Sequence, residues 1–368
     1  MLPRTTSIVA ALLIATGCSQ TPSNAGGPGN GDPQTQAGTG ATEPVELAGA
    51  PGSAGVPGTA GAAADPPPIV PPATTPPPID VTPPAEPPAK ADIEYCGEVA
   101  LTGEQLVPAG KVASACAGTQ FSAGPGAALV IEGQLFIRGT PEAKVGMHGP
   151  DATPGGWKGV VIKQGGSIQA THWTITGATL GIHAQVGSSY ALDYLDIDKS
   201  MELMFIEADG SLNHGRLHAR GADQPAFSLP VHINDAAPTI ANTLIDNGNS
   251  FHDHFEVTGA KSSPKFDHVE IANCHCGVHT ADGVGIQITN SNIHNTEYGV
   301  MALAARGTMV SGNVFEHNTW DVGLCLGGTM TLQGNTYGAD GATFDPGCAM
   351  LDPNPADRPP TGVGPQGL

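Results

Sequence analysis

Two short stretches hold the side chains best suited to chemistry. Phe251 to Phe255 reads F-H-D-H-F, and Cys274 to His279 reads C-H-C-G-V-H. His275 and His252 differ by 23 in position (275 − 252), and Cys276 and His254 by 22 (276 − 254). A chain repeating with that period sets the two stretches side by side on adjacent turns. In an extended segment Cys274 and Cys276 point to one face and His275 to the other. Thiolates beside imidazoles suit Zn²⁺ or copper, with His252, His254, Cys274, Cys276 and His279 as candidate ligands. The same cysteines also read as a Cys274–Cys276 disulfide at a sharp turn, or as two buried thiols.

A second group holds Asp193, Asp196 and Asp198, then His214, Arg216, His218 and Arg220 one period on. Arg220 and Asp198 differ by 22 in position (220 − 198), which predicts a stacked pair. A polysaccharide lyase would use acidic calcium ligands with an Arg or Lys base, and a hydrolase two or three clustered carboxylates. Asp196, Asp198, His218 and Arg220 are the candidate catalytic residues on that reading. An exposed ion pair between turns looks the same and contributes little. Aromatic side chains able to stack on sugars are few: Trp173, Tyr190, Tyr194, Tyr298 and Trp320.

The elements that position these residues follow from a repeat. His294-Asn295-Thr296 returns as His317-Asn318-Thr319, an offset of 23 (317 − 294), between short alternating apolar runs. A fixed period of this size is the mark of a coiled β-solenoid. One apolar position recurs at Ile175, Ile197, Ala219, Ile245, Ile271, Ile293 and Phe315, with successive differences of 22, 22, 26, 26, 22 and 22. Asn247, Asn273 and Asn295 follow that position by two residues and Asn318 by three, at a turn where Asn tolerates positive φ. Stacked amides there would bond along the column. Val269/Ile271, Ile286/Ile288 and Val322/Leu324 are the expected inward pairs. Apolar residues recur at i, i+2 rather than i, i+3, i+4, so helix is not expected.

The N-terminal quarter has another character. Formal net charge is −20 with 14 Lys+Arg, which argues against nucleic acid and against electrostatic binding to anionic lipid. Arg4, the apolar run Ile8–Ala15 and Ala15-Thr16-Gly17-Cys18 resemble a bacterial lipoprotein signal, too short to span a bilayer. That resemblance implies lipidation of Cys18, and Ser19 after it implies an outer-membrane lipoprotein of the cell envelope. Residues 18–90 are rich in Ala, Gly and Pro and hold too little apolar surface to offset ordering, which predicts a disordered tether. Six cysteines remain after Cys18, an even number suited to an oxidising compartment. Cys96 with Cys116 and Cys325 with Cys348 flank the two ends of the folded part. Each bridge would contribute on the order of 3 kcal/mol.

Glu132-Gly133, Leu135, Gly139-Thr140, Trp157, Gly159 and Val160 resemble bacterial surface proteins with parallel β-helix repeats, which with the Cys18 signal implies a bacterial (myxobacterial-type) lipoprotein of that kind. The resemblance covers about residues 100 to 340 and implies an all-β, right-handed parallel β-helix, a pectate-lyase-like solenoid. The expected organisation is a signal at 1–17, a tether at 18–90, a disulfide-capped segment at 91–125, the β-helix at 126–348 and a tail at 349–368, disordered or lying along the body. The first functional reading is a lipid-anchored, non-catalytic β-helix whose long side meets a cell-surface polysaccharide or protein, with no cofactor. The rivals are a polysaccharide lyase or hydrolase, with calcium, and a metal-handling envelope protein, with zinc or copper.

Overall fold

The computed structural model describes residues 79–81, 83–88, 90–218, 230–246, 253–281, 283–338 and 363–368. The described strands join in one parallel sheet that winds into a β-solenoid of about ten coils. The single helical element among the described residues is one 3-10 turn at Pro150–Ala152.

Alternation in the sequence becomes a stacked core. One column runs by strand register through Val99, Phe121, Met147, Ile175, Ile197, Leu217, Ile245, Ile271, Ile293, Phe315 and Tyr337. From Phe121 to Phe315 each member is at most 1% exposed. The column passes through Leu217 and not Ala219, which lies outside the described residues. The coil after Ile197 therefore advances by 20 (217 − 197) and the next by 28 (245 − 217), where the sequence period suggested 22 and 26. Leu fills the layer between two Ile residues, and counting alone could not see that. The three expected inward pairs are all buried.

The coils begin at Ile93, which pairs with Ala113, so 91–125 belongs to the solenoid rather than preceding it. Cys96 and Cys116 are bonded at that end, with Cα atoms 5.1 Å apart. Cys325 is also disulfide-bonded, while Cys348 lies outside the described residues. Cys274 and Cys276 are free and buried, so the bridge between them is not formed. Both sit in the extended strand Glu270–Thr280, and a bridge across one residue would require the chain to fold back there.

Two corners carry left-handed residues. At the first stand His172, Tyr194, His214, Asn242, His268 and Asn290, with φ from 47° to 53°. The residues just after this corner form a buried ladder toward the C-terminal coils. Ser291 N donates to Asn313 Oδ1 and Asn313 N to Asn335 Oδ1, each at 2.9 Å. At the second corner Asn273 (φ 62°) and Asn295 (φ 54°) adopt the expected conformation, but the next member is His317 (φ 56°) and not Asn318. The amides there do not stack: Asn273 Nδ2 donates to Asp246 Oδ1, and Asn295 Nδ2 pairs with His294 Nδ1. The amide ladder is therefore real but lies on the other corner. Asn247 lies outside the described residues.

Gly159 shows why the W-x-G segment needs glycine. Its φ is +108°, and a Cβ there would collide with the Leu180 carbonyl oxygen. The flanking segments touch the solenoid as well. Ile79 N donates to Asp267 Oδ2 and Ala85 N to Gln169 Oε1, within the stretch expected to be tether. Gly364 N donates to Asn290 O and Gln366 N to Asn242 Oδ1, so this part of the tail lies along the body.

Candidate functional site

Three consecutive coils build the C-H-C site. Asp253 stands just before the strand Phe255–Thr258, Cys276 and His279 lie on Glu270–Thr280, and Met301 lies on Asn292–Ser311. Register aligns Glu256 with His279 and His279 with Met301. One ligand atom each from Asp253, Cys276 and His279 lies within 4.8 Å of the others. His275 Nδ1 is 3.1 Å from Asp253 Oδ1, and His279 Nδ1 is 2.6 Å from Asp253 Oδ2. Cys276 Sγ lies 3.3 Å from His275 Nδ1 and 3.9 Å from Met301 Sδ. His275 Nε2 is 3.5 Å from Glu297 Oε2, and its ring meets Tyr298 edge-on at 6.0 Å.

The electrostatics follow from burial against pairing. Burial raises the Asp253 pKa, but hydrogen bonds from His275 and His279 outweigh it and hold the carboxyl well below its ordinary range. The bond to Asp253 raises His275. Burial lowers His279, and the bond and charge of Asp253 more than reverse that. Burial and then the Asp253 charge raise Glu256. Burial pushes the Cys276 thiol well up, so it is protonated in the free protein. The His279 Nε2 atom is buried and has no partner among the described residues. The pairing with Asp253 stabilises the protonated His279 ring, so an ion held here would displace a proton from His279 as well as from Cys276.

The structure sorts the expected ligands. Cys276 and His279 come together, whereas Cys274 packs into the apolar core. His254 is fully buried, pairs through Nε2 with the Ala272 carbonyl and is pushed down to about 4 by burial. His252 lies outside the described residues. Asp253 and Met301 were not singled out from sequence. Asp253 sits inside F-H-D-H-F, one full period before His275 (275 − 253 = 22), so the period itself held that signal. Met301 follows His279 by the same 22 (301 − 279).

The acidic group is arranged differently from expectation. Asp193 Oδ1 is 2.7 Å from His214 Nδ1 and accepts from Asn213 Nδ2 at 3.2 Å. Asp196 stands beside Arg216 in register. The pairing of Ile197 with Leu217 sets His218, not Arg220, next to Asp198, because that coil is two residues shorter than the period suggests. Arg220 lies outside the described residues. Among the aromatics, Trp173 and Tyr190 are buried in the core. Tyr194 is stacked between His172 and His214 at 4.4 Å. Tyr298 and Trp320 remain partly exposed, one coil apart in register next to Cys276.

No protein-family profile matches the sequence. No curated protein matches it either. Among solved structures, the chain is similar to the A-module of the mannuronan C-5 epimerase AlgE6 of Azotobacter vinelandii. That match has 14% identity, a TM-score of 0.26, and covers 71% of this chain and 88% of that one. It is also similar to ORF18 of Geobacillus virus E2, with 8% identity, a TM-score of 0.23, and coverage of 68% and 53%.

Proposed function

We propose that this chain is a cell-envelope β-helix that binds a transition-metal ion, copper or zinc, at Asp253, Cys276 and His279. The observation that carries the reading is the convergence of a thiol, an imidazole and a carboxylate within 4.8 Å on adjacent coils. Sulfur and imidazole donors suit both ions, and the Met301 thioether beside Cys276 favours copper. Asp253 orients both imidazoles, and His275 and Glu297 close the site on its outer side. A bound cation would take the place of the Cys276 proton and supply a strong local positive charge. In this reading the protein holds an ion and is not a catalyst.

The test is titration of the whole mature chain with Co²⁺, as a spectroscopic stand-in for zinc, and with Cu²⁺. About one equivalent should bind and give a thiolate charge-transfer band. Cys276→Ser should abolish the band, Cys274→Ser should keep it, and Met301→Leu should weaken copper while sparing cobalt. A band that survives Cys276→Ser, or no stoichiometric binding, sinks the reading.

A second reading rests on the carboxylates. Asp253 is held low and Glu256 is raised beside it, the split that an acid–base pair uses. A polysaccharide-cleaving activity of metal-free protein, lost in Glu256→Gln, would favour that reading over the first.

The lipid anchor belongs to the proposal through Ala15-Thr16-Gly17-Cys18. Cells fed a fatty-acid probe should label the wild type and not Cys18→Ala. Equal labelling of both would remove the anchor.

A further inference from the structure

The strongest unassigned feature is a concavity of about 610 Å³ beside the strand Lys265–Asp267. Among the described residues its lining includes Lys261, Lys265 and Arg306 and no Asp or Glu, while Asp282, next to the lining Gly283, lies outside the described residues. The chain has 34 acidic residues and only 14 Lys+Arg, so three of the fourteen meeting in one hollow runs against its composition. All three are exposed.

The backbone that carries them is fixed. Asp235 Oδ1 accepts from Lys261 N at 3.1 Å, which turns that carboxylate onto the loop backbone. Ser262 is 4% exposed, and its Oγ accepts from Ala236 N and donates to Thr258 O. Lys265 N donates to Pro238 O at 2.9 Å. On the facing coil, a Cβ at Gly285 would collide with the Arg306 carbonyl oxygen, so that glycine lets the Arg306 backbone approach closely. Ser263 and Gln287 add neutral hydrogen-bonding groups to the lining.

We propose that this hollow binds an acidic saccharide, with Lys261, Lys265 and Arg306 pairing its carboxylate or sulfate groups and Ser263 and Gln287 meeting its hydroxyls. Cations on a fixed backbone recognise anions through charge-assisted hydrogen bonds. The volume lies within the range of small-ligand sites. Among the described residues the lining has no aromatic ring on which a nucleobase could stack, unlike a single-stranded nucleic-acid groove. The site shares no residue with the metal centre.

The experiment measures binding of the full mature chain to oligogalacturonate, a sulfated oligosaccharide, a neutral dextran oligomer and polyglutamate, at low and high salt. Binding to an acidic sugar, weakened by salt and absent for dextran, is expected. Lys265→Gln and Arg306→Gln should each weaken it by about ten-fold, the scale of one charge-assisted hydrogen bond. The double variant should keep the wild-type melting temperature and the cobalt band, and Cys276→Ser should keep sugar binding. Unchanged affinity in the double variant, polyglutamate bound as well as the sugar, or no acidic sugar bound at all would each overturn the proposal.

Discussion

Asp267 shows how single residues carry the structure. Its carboxylate is 2% exposed and accepts from Thr289 Oγ1 at 2.7 Å, Asn290 Nδ2 at 2.9 Å and Ile79 N at 3.0 Å. Burial raises its pKa, and these bonds, with His268, bring it below the ordinary 3.8. A depressed folded-state value means that the contribution is present above 3.8 and is lost as pH falls through the lower folded value. Asp267→Ala should cost roughly 1–3 kcal/mol for each donor left buried and unpaired. Chemical denaturation at neutral pH checks the loss, and the acid limb of the stability curve should flatten in the variant. An unchanged midpoint would contradict the network. Nothing in the sequence marked Asp267, since its partners come from three places along the chain: Ile79, the adjacent His268, and Thr289–Asn290. The metal site was partly legible for the opposite reason: Cys276 and His279 share one strand, and the period sets Asp253 one coil away, opposite His275 (275 − 253 = 22). Side-chain direction was not legible, which is why Cys274 and His254 joined the expected ligands and turned out to face inward.

At the scale of coils, each layer adds about 4.8 Å and buries one apolar side chain per column. The columns from Ile245 to Phe315 follow the sequence period because every coil there contributes an Ile or Phe. The error at Ala219 arose where coil length changes, since irregular turns break the count without breaking the layer. Ile271→Asp would bury an unpaired charge in a fully buried column and should cost on the order of 4 kcal/mol. Gln287→Asp, on a partly exposed face, should change stability by less than about 0.5 kcal/mol. Thr289, two residues on, is no surface control, because it is buried against Asp267. Equal thermal midpoints for the Ile271 and Gln287 variants would mean that the column does not organise the coils.

For the molecule as a whole, the solenoid explains both what sequence revealed and what it concealed. A parallel β-helix repeats its core chemistry, so the fold is readable from a few coils. Its outer side chains do not repeat, and there the register alone decides which groups meet. Along the register, His183, Phe205, His232, Glu256, His279 and Met301 form one outward column that ends at the metal site. The rings of His183 and His232 stack on Phe205 at 4.9 and 4.8 Å, which fills the strip leading to it. X-ray absorption on protein loaded with one equivalent of zinc tests the metal centre. One sulfur at about 2.3 Å with nitrogen and oxygen at about 2.0–2.2 Å is predicted, the sulfur vanishing in Cys276→Ser. A shell of nitrogen and oxygen alone in the wild type would contradict it.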